Sequence, residues 1–148
     1  MGETSLKGRL SKSEIETVTF AKKFAKNLKV GDIVAIYGNL GAGKTTFIKG
    51  LAAGLGYVGR VFSPTFIFVR PYKIGNQKNK IETLFHIDLY RSENKTDLRN
   101  VGIEEFLADK KAVSVVEWPE KIEESLPEKT IKIKIDIIGK SKRRIIIF

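Results

Sequence analysis

The residues best suited to chemistry are nine in a row from Gly38 to Thr46, reading Gly-Asn-Leu-Gly-Ala-Gly-Lys-Thr-Thr. They fit the pattern G-x-x-x-x-G-K-[ST], with Gly38, Gly43, Lys44 and Thr45 in the four fixed places. Glycines let a backbone close around phosphates, so Asn39, Leu40, Gly41, Ala42, Gly43, Lys44, Thr45 and Thr46 are the candidate nucleotide-binding residues. Lys44 would neutralise β- and γ-phosphate charge, and the Thr45 hydroxyl would hold Mg2+.

Such chemistry also needs an acid at the end of a neighbouring strand, to manage the metal and the attacking water. Glu117 ends the apolar run Val113-Ser114-Val115-Val116, and Asp88 stands in His86-Ile87-Asp88-Leu89-Tyr90-Arg91. Glu117 occupies the place where aspartate is usual and Val116 precedes it, so one acid must serve metal and water unless Asp88 shares the work. Both are candidate catalytic residues and candidate metal ligands, together with Thr45. Thr65, in Ser63-Pro64-Thr65, sits where a γ-phosphate sensor would stand, or else in a plain Ser-Pro turn. His86 alternates with Asp88 and shares its side of the strand, either near the metal or as a satisfied core residue. Trp118 is a candidate to stack beside the nucleotide, with core or interface packing as the alternative.

These groups must be positioned by alternating strands and helices. Asp32 to Tyr37 is an apolar run suited to a buried parallel strand, and Phe47 to Ala52 reads as the start of a helix that ends near Gly54 or Gly56. Ser11-x-x-Glu14 predicts a helix beginning at Ser11, with Ile15, Val18, Phe20, Phe24 and Leu28 giving it an apolar face. Phe66–Tyr72 and Ile81–Tyr90 read as antiparallel strands around a polar hairpin loop containing Gly75-Asn76. Asp97 to Leu107 predicts a short helix broken near Gly102, Ala112 to Val116 a strand, and Pro119 to Glu124 a helical turn. Ile131, Ile133, Ile135 and Ile137 alternate with polar residues as a strand with one solvated face, and Arg144 to Phe148 is a last strand. The expected fold is α/β, a single P-loop domain over residues 1–148 with a mixed, mostly parallel sheet flanked by helices.

Composition narrows the classes. No cysteine and one histidine exclude disulfides, thiolate metal sites, cysteine nucleophiles and multi-histidine metal clusters. No apolar segment approaches a membrane span and no signal-peptide region opens the chain, so a cytoplasmic location without membrane contact is expected. The net charge of +10 suits RNA or an acidic surface, or equally lysine on solvated faces. Asn94-Lys95-Thr96-Asp97 matches a guanine-reading motif, but it lies only six positions after Asp88, so it reads as a surface turn.

Taken in order, the loop, Ser63-Pro64-Thr65-Phe66, His86-x-Asp88-Leu89-Tyr90-Arg91 and Glu117-Trp118-Pro119 resemble the TsaE family. The resemblance runs from the first helix to about Pro127. It implies a bacterial ATPase that binds ATP with Mg2+ and works with the TsaD–TsaB pair in making threonylcarbamoyladenosine in tRNA, without performing the transfer itself. By the same resemblance Lys44 binds phosphate, Thr45 and Glu117 coordinate Mg2+, and Asp88 supports metal or water. Thr65 belongs to a switch segment, Trp118 lies close to the nucleotide, and Ser13 to Thr17 approach the adenine. Two rivals share the loop. A small-molecule kinase would need a substrate insertion and an arginine-rich lid, for which Lys73 to Lys80 leaves little room. An RNA-binding module would keep ATP only as a structural ligand. Whether tRNA touches Lys140-Ser141-Lys142-Arg143-Arg144 stays open.

Overall fold

The apolar run ahead of the glycine loop forms β2 (Ile33–Tyr37), with Ile33 to Ile36 buried on both faces as a central parallel strand requires. It lies inside a seven-stranded sheet of a computed structural model that describes residues 7–64, 68–75, 80–93, 98–99 and 101–148. The other elements are β1 (Lys7–Ser11), α1 (Glu14–Ala25), α2 (Lys44–Leu55), β3 (Val69–Lys73), β4 (Thr83–Asp88) and α3 (Ile103–Leu107). After them come β5 (Ala112–Glu117), a 3-10 helix (Pro119–Ser125), β6 (Ile131–Ile137) and β7 (Arg143–Ile147).

Strand order is β1-β7-β6-β2-β5-β4-β3. β6, β2, β5 and β4 pair in parallel, while β7 and β3 run the other way, so the sheet is mixed and mostly parallel. Alternation along the strands sends one side-chain set to each face. Val34, Ile36, Leu84, Val113, Val115, Ile133 and Ile135 pack under α1 and α2. Ile33, Ile87 and Val116 pack on the opposite face with Leu98, Ile103, Leu107 and Ile122.

α1 and α2 touch along small residues. A Cβ on Gly50 would stand 2.7 Å from Ala21 Cβ, and one on Gly54 would stand 2.8 Å from Ala25 Cβ. The spacing of four repeats on both helices, bringing their backbones close enough for Phe47 to meet Phe20 and Phe24. Fully burying each of Phe47, Leu51 and Leu55 contributes roughly 2 kcal/mol. α2 ends where Gly56 takes a φ of +106°, a conformation that glycine adopts without strain.

The antiparallel β3–β4 pair, the break at Gly102 (φ +75°) and the helical turn after Pro119 all stand where the sequence places them. Expectations about where elements begin are corrected at α1 and β3. Ser11 is the last residue of β1, and the helix is capped by Ser13, whose Oγ accepts from the Glu16 amide at 3.1 Å. Glu16 in turn accepts from the amide of Lys12, one residue before the cap, at 2.7 Å, so the helix start is capped from both sides, two residues later than the sequence predicts. The third strand begins at Val69, because Phe68 has a φ of +60°, outside the extended region. Residues 7–11 form edge strand β1 against β7, an element that the sequence does not announce. Thr65 with the start of the Phe66–Tyr72 run, the tip of the hairpin loop at Asn76, and Asn94 to Asp97 lie outside the described residues.

Candidate nucleotide-binding site

At the C-terminal end of β2 the chain turns through the glycine loop into α2. Gly38 must be glycine because a Cβ there would stand 2.8 Å from the Ile135 carbonyl oxygen of β6. Gly41 and Gly43 have φ of +81° and +100°, the left-handed region that other residues enter at a cost. Gly43 begins α2 without a side-chain cap and the first turn holds no acid. The amide groups of that turn and the positive end of the helix are therefore left for an anionic ligand.

The loop borders a cavity of about 680 Å³, within the size range of small-molecule sites. Leu40 to Thr46 form its floor, Asp88, Tyr90, Glu117 and Trp118 one wall, and Ser13, Glu14 and Thr17 of α1 another. Lys12, Ser63, Lys140, Ser141 and Arg143 complete it. Asn39 belongs to the loop but not to the wall; its carbonyl accepts from the Ala42 amide at 3.0 Å.

Lys44 is buried, and its Nζ donates to the Gly38 and Asn39 carbonyl oxygens and lies 3.9 Å from the centre of the Trp118 ring. Loss of hydration holds its pKa below the ordinary lysine value, against the opposing pull of Glu117 and Asp88. The ammonium is a poorly solvated cation facing an anion cradle. Thr45 Oγ1 lies 3.3 Å from Ser63 Oγ, joining the loop to the connector after α2.

β4 and β5 pair in parallel with Asp88 opposite Glu117, so both acids end their strands at the same level. Burial raises the Asp88 pKa, and the Glu117 charge raises it further, although its carboxylate accepts from the Tyr90 amide at 3.0 Å. Glu117 is buried, with Oε2 2.7 Å from His86 Nε2. His86 thus serves both readings weighed for it, being in the core and bonded to a site acid. Trp118 likewise presents its ring to Lys44 while packing on the core beneath β5.

Thr45, Asp88 and Glu117 form an oxygen-only donor set of one hydroxyl and two carboxylates, which suits a hard cation such as Mg2+ held jointly with phosphate oxygens. Among the described residues no three histidines or acids gather to hold a metal without such a ligand. The residues fit Mg2+ on those terms.

The sequence profile of TsaE, threonylcarbamoyl adenosine biosynthesis protein TsaE, matches residues 11–145. The chain belongs to the TsaE family. It is 40% identical over 130 residues to the tRNA threonylcarbamoyladenosine biosynthesis protein TsaE of Bacillus subtilis, covering 88% of this chain and 77% of that protein. The Treponema pallidum protein of the same name is 34% identical over 136 residues, covering 92% of this chain and 96% of the relative. The crystal structure of Bacillus subtilis YdiB superposes with a TM-score of 0.79 at 31% identity, covering 99% of this chain and 87% of that one. This TsaE chain accordingly takes part in tRNA threonylcarbamoyladenosine biosynthesis.

Two contributors to the TsaE site escape sequence reasoning. Arg143, at the start of β7, donates from Nε to the Ala42 carbonyl at 2.9 Å and from Nη2 to the Gly41 carbonyl at 3.3 Å. In the sequence it stands only within a basic run. Tyr72 lies behind the wall, 3.2 Å from His86 Nδ1, and carries no motif at all.

Proposed function

We propose that this chain is a single-domain P-loop ATPase that binds ATP with Mg2+ and acts with TsaD and TsaB in the cytoplasm. There it would drive the complex that modifies the adenosine beside the tRNA anticodon, without transferring the threonylcarbamoyl group itself. The observation that carries the reading is the convergence on one cavity of an uncapped helix N-terminus, a buried lysine and two carboxylates from adjacent strands. The family's place in threonylcarbamoyladenosine biosynthesis supports the tRNA context.

Thr45, Glu117 and Asp88 would hold Mg2+, which when bound offsets charge on the β- and γ-phosphates. Lys44 exchanges the loop carbonyls for phosphate oxygens, a gain for an ammonium already stripped of water. The α2 N-terminus and loop amides bind the remaining phosphate charge. Asp88, at the cavity wall with its pKa raised by burial, orients the attacking water in line. Glu117, tied to His86, holds its oxygens in a fixed place. Trp118 lines the nucleotide cleft, and Thr65 is assigned to the segment that responds to hydrolysis.

Purified protein is expected to hydrolyse ATP slowly, and at least tenfold faster with TsaD–TsaB added. Co-purification with that pair should depend on whether ATP, ADP or neither is present. Rapid hydrolysis in isolation, unaltered by TsaD–TsaB, would sink the partner-coupled reading.

A further inference from the structure

Behind the cavity wall, enclosed polar groups line up from Glu117 back to the connector after α2. Glu117 Oε2 lies 2.7 Å from His86 Nε2, and His86 Nδ1 lies 3.2 Å from Tyr72 Oη. Tyr72 Oη donates to the Phe62 carbonyl at 2.8 Å and accepts from the Phe62 amide at 3.0 Å. The three side chains are 3%, 0% and 3% exposed, so water cannot substitute for a lost link. From Phe62 the chain passes to Ser63, whose Oγ is 3.3 Å from Thr45 Oγ1. The path leaves the site at Glu117 and returns to it at Thr45.

Hydrogen-bond capacity makes this line tight. A phenol has one proton to give and two lone pairs. Tyr72 gives its proton to the Phe62 carbonyl and accepts from the Phe62 amide, and the remaining place on its hydroxyl faces His86 Nδ1. A hydrogen bond of 2.7 Å joins His86 Nε2 to Glu117 Oε2. With every position of the Tyr72 hydroxyl in use, a shift of His86 cannot be absorbed without the Phe62 peptide losing a partner. Filling this interior with apolar side chains would avoid the desolvation cost, so packing does not explain the choice of residues. The far end reaches the surface: the Phe62 ring is 48% exposed, with the Arg60 and Arg70 guanidinium carbons 5.2 Å and 5.6 Å from its centre.

We propose that Tyr72 and His86 are positioning residues that couple the Glu117 carboxylate to the Phe62–Ser63 connector, so that a change of ligand at the site alters the surface around Phe62. The inference rests on the nucleotide reading above, and its test separates the two.

Hydrogen exchange at the Phe62 amide, followed by NMR, reads the far end directly. Without nucleotide, Glu117→Ala is expected to speed that exchange at least fivefold, and Tyr72→Phe to abolish the response to Glu117→Ala. His86→Gln serves as the near-end variant if Glu117→Ala does not fold. With ATP and Mg2+ the wild-type amide should be protected at least fivefold, and Tyr72→Phe should lose this protection while binding ATP within twofold of wild type. Its kcat should fall at least fivefold with KM little changed. Exchange at Phe62 indifferent to both near-end variants would overturn the coupling, as would normal kcat and intact ATP-dependent protection in Tyr72→Phe. If wild-type protein bound no ATP, the functional reading would fail and the nucleotide-free comparison would still decide the coupling.

Discussion

Lys44 holds its ammonium against its own loop carbonyls and the Trp118 ring, so ligand arrival should be visible in that ring. Trp118 is the one tryptophan of the chain, and its emission is expected to change on titration with ATP and Mg2+. Lys44→Ala should remove that change and lower hydrolysis at least a hundredfold, about 3 kcal/mol of lost transition-state stabilisation. Asp88 makes a prediction in pH. Burial and the Glu117 charge raise its pKa in the fold, so its contribution to stability is favourable in acid and is lost as pH rises through the folded value. Asp88→Asn should therefore raise the melting temperature at neutral pH, with the advantage shrinking on acidification. A melting temperature lowered at neutral pH would contradict the sign.

At the scale of elements, two contacts set the position of the loop. The α1–α2 seam is closed by glycines, and Gly50→Ala would drive a methyl group against Ala21 Cβ and the Val18 carbonyl. Alanine favours the helix by about 1 kcal/mol, but overpacking a closed backbone seam costs roughly 1–3 kcal/mol. Urea unfolding should show net destabilisation; stabilisation would mean that the helices separate easily. The second contact is Arg143, whose guanidinium holds two successive loop carbonyls from the far side of β6. Arg143→Ala is expected to weaken ATP binding several-fold by calorimetry with little loss of fold. Arg143→Lys should recover only part, since one ammonium cannot reproduce the planar fork.

For the molecule as a whole, β1 closes one edge of the sheet on β7 and leads into the α1 cap, where Ser11 Oγ lies 2.7 Å from Thr17 Oγ1. Removing residues 1–11 should expose the β7 ladder, lower the melting temperature by several degrees and promote self-association, checked by light scattering. The sheet also explains why the site lies where it does. Parallel β2, β5 and β4 all deliver their C-terminal ends to one side, so the glycine loop, Glu117 and Asp88 arrive together. No helix among the described residues is long and apolar enough to cross a membrane.

What the sequence determined by itself is local or periodic. The glycine loop, its flanking strand and helix, the acids at two strand ends and the alternating isoleucines of β6 follow from spacing within a few residues of each other. Short-range errors arose where two local signals competed. Ser11 and Ser13 both precede a glutamate by three, and only the pairing of β1 with β7 decides that Ser11 belongs to the strand. Tertiary structure alone decided the long-range partners. Arg143 meets carbonyls about a hundred positions earlier, and Glu117, His86, Tyr72 and Phe62 join across three strands and a connector. Such hydrogen bonds leave no period in the chain, because their partners are brought together by strand order, and strand order is settled by which faces can be buried together.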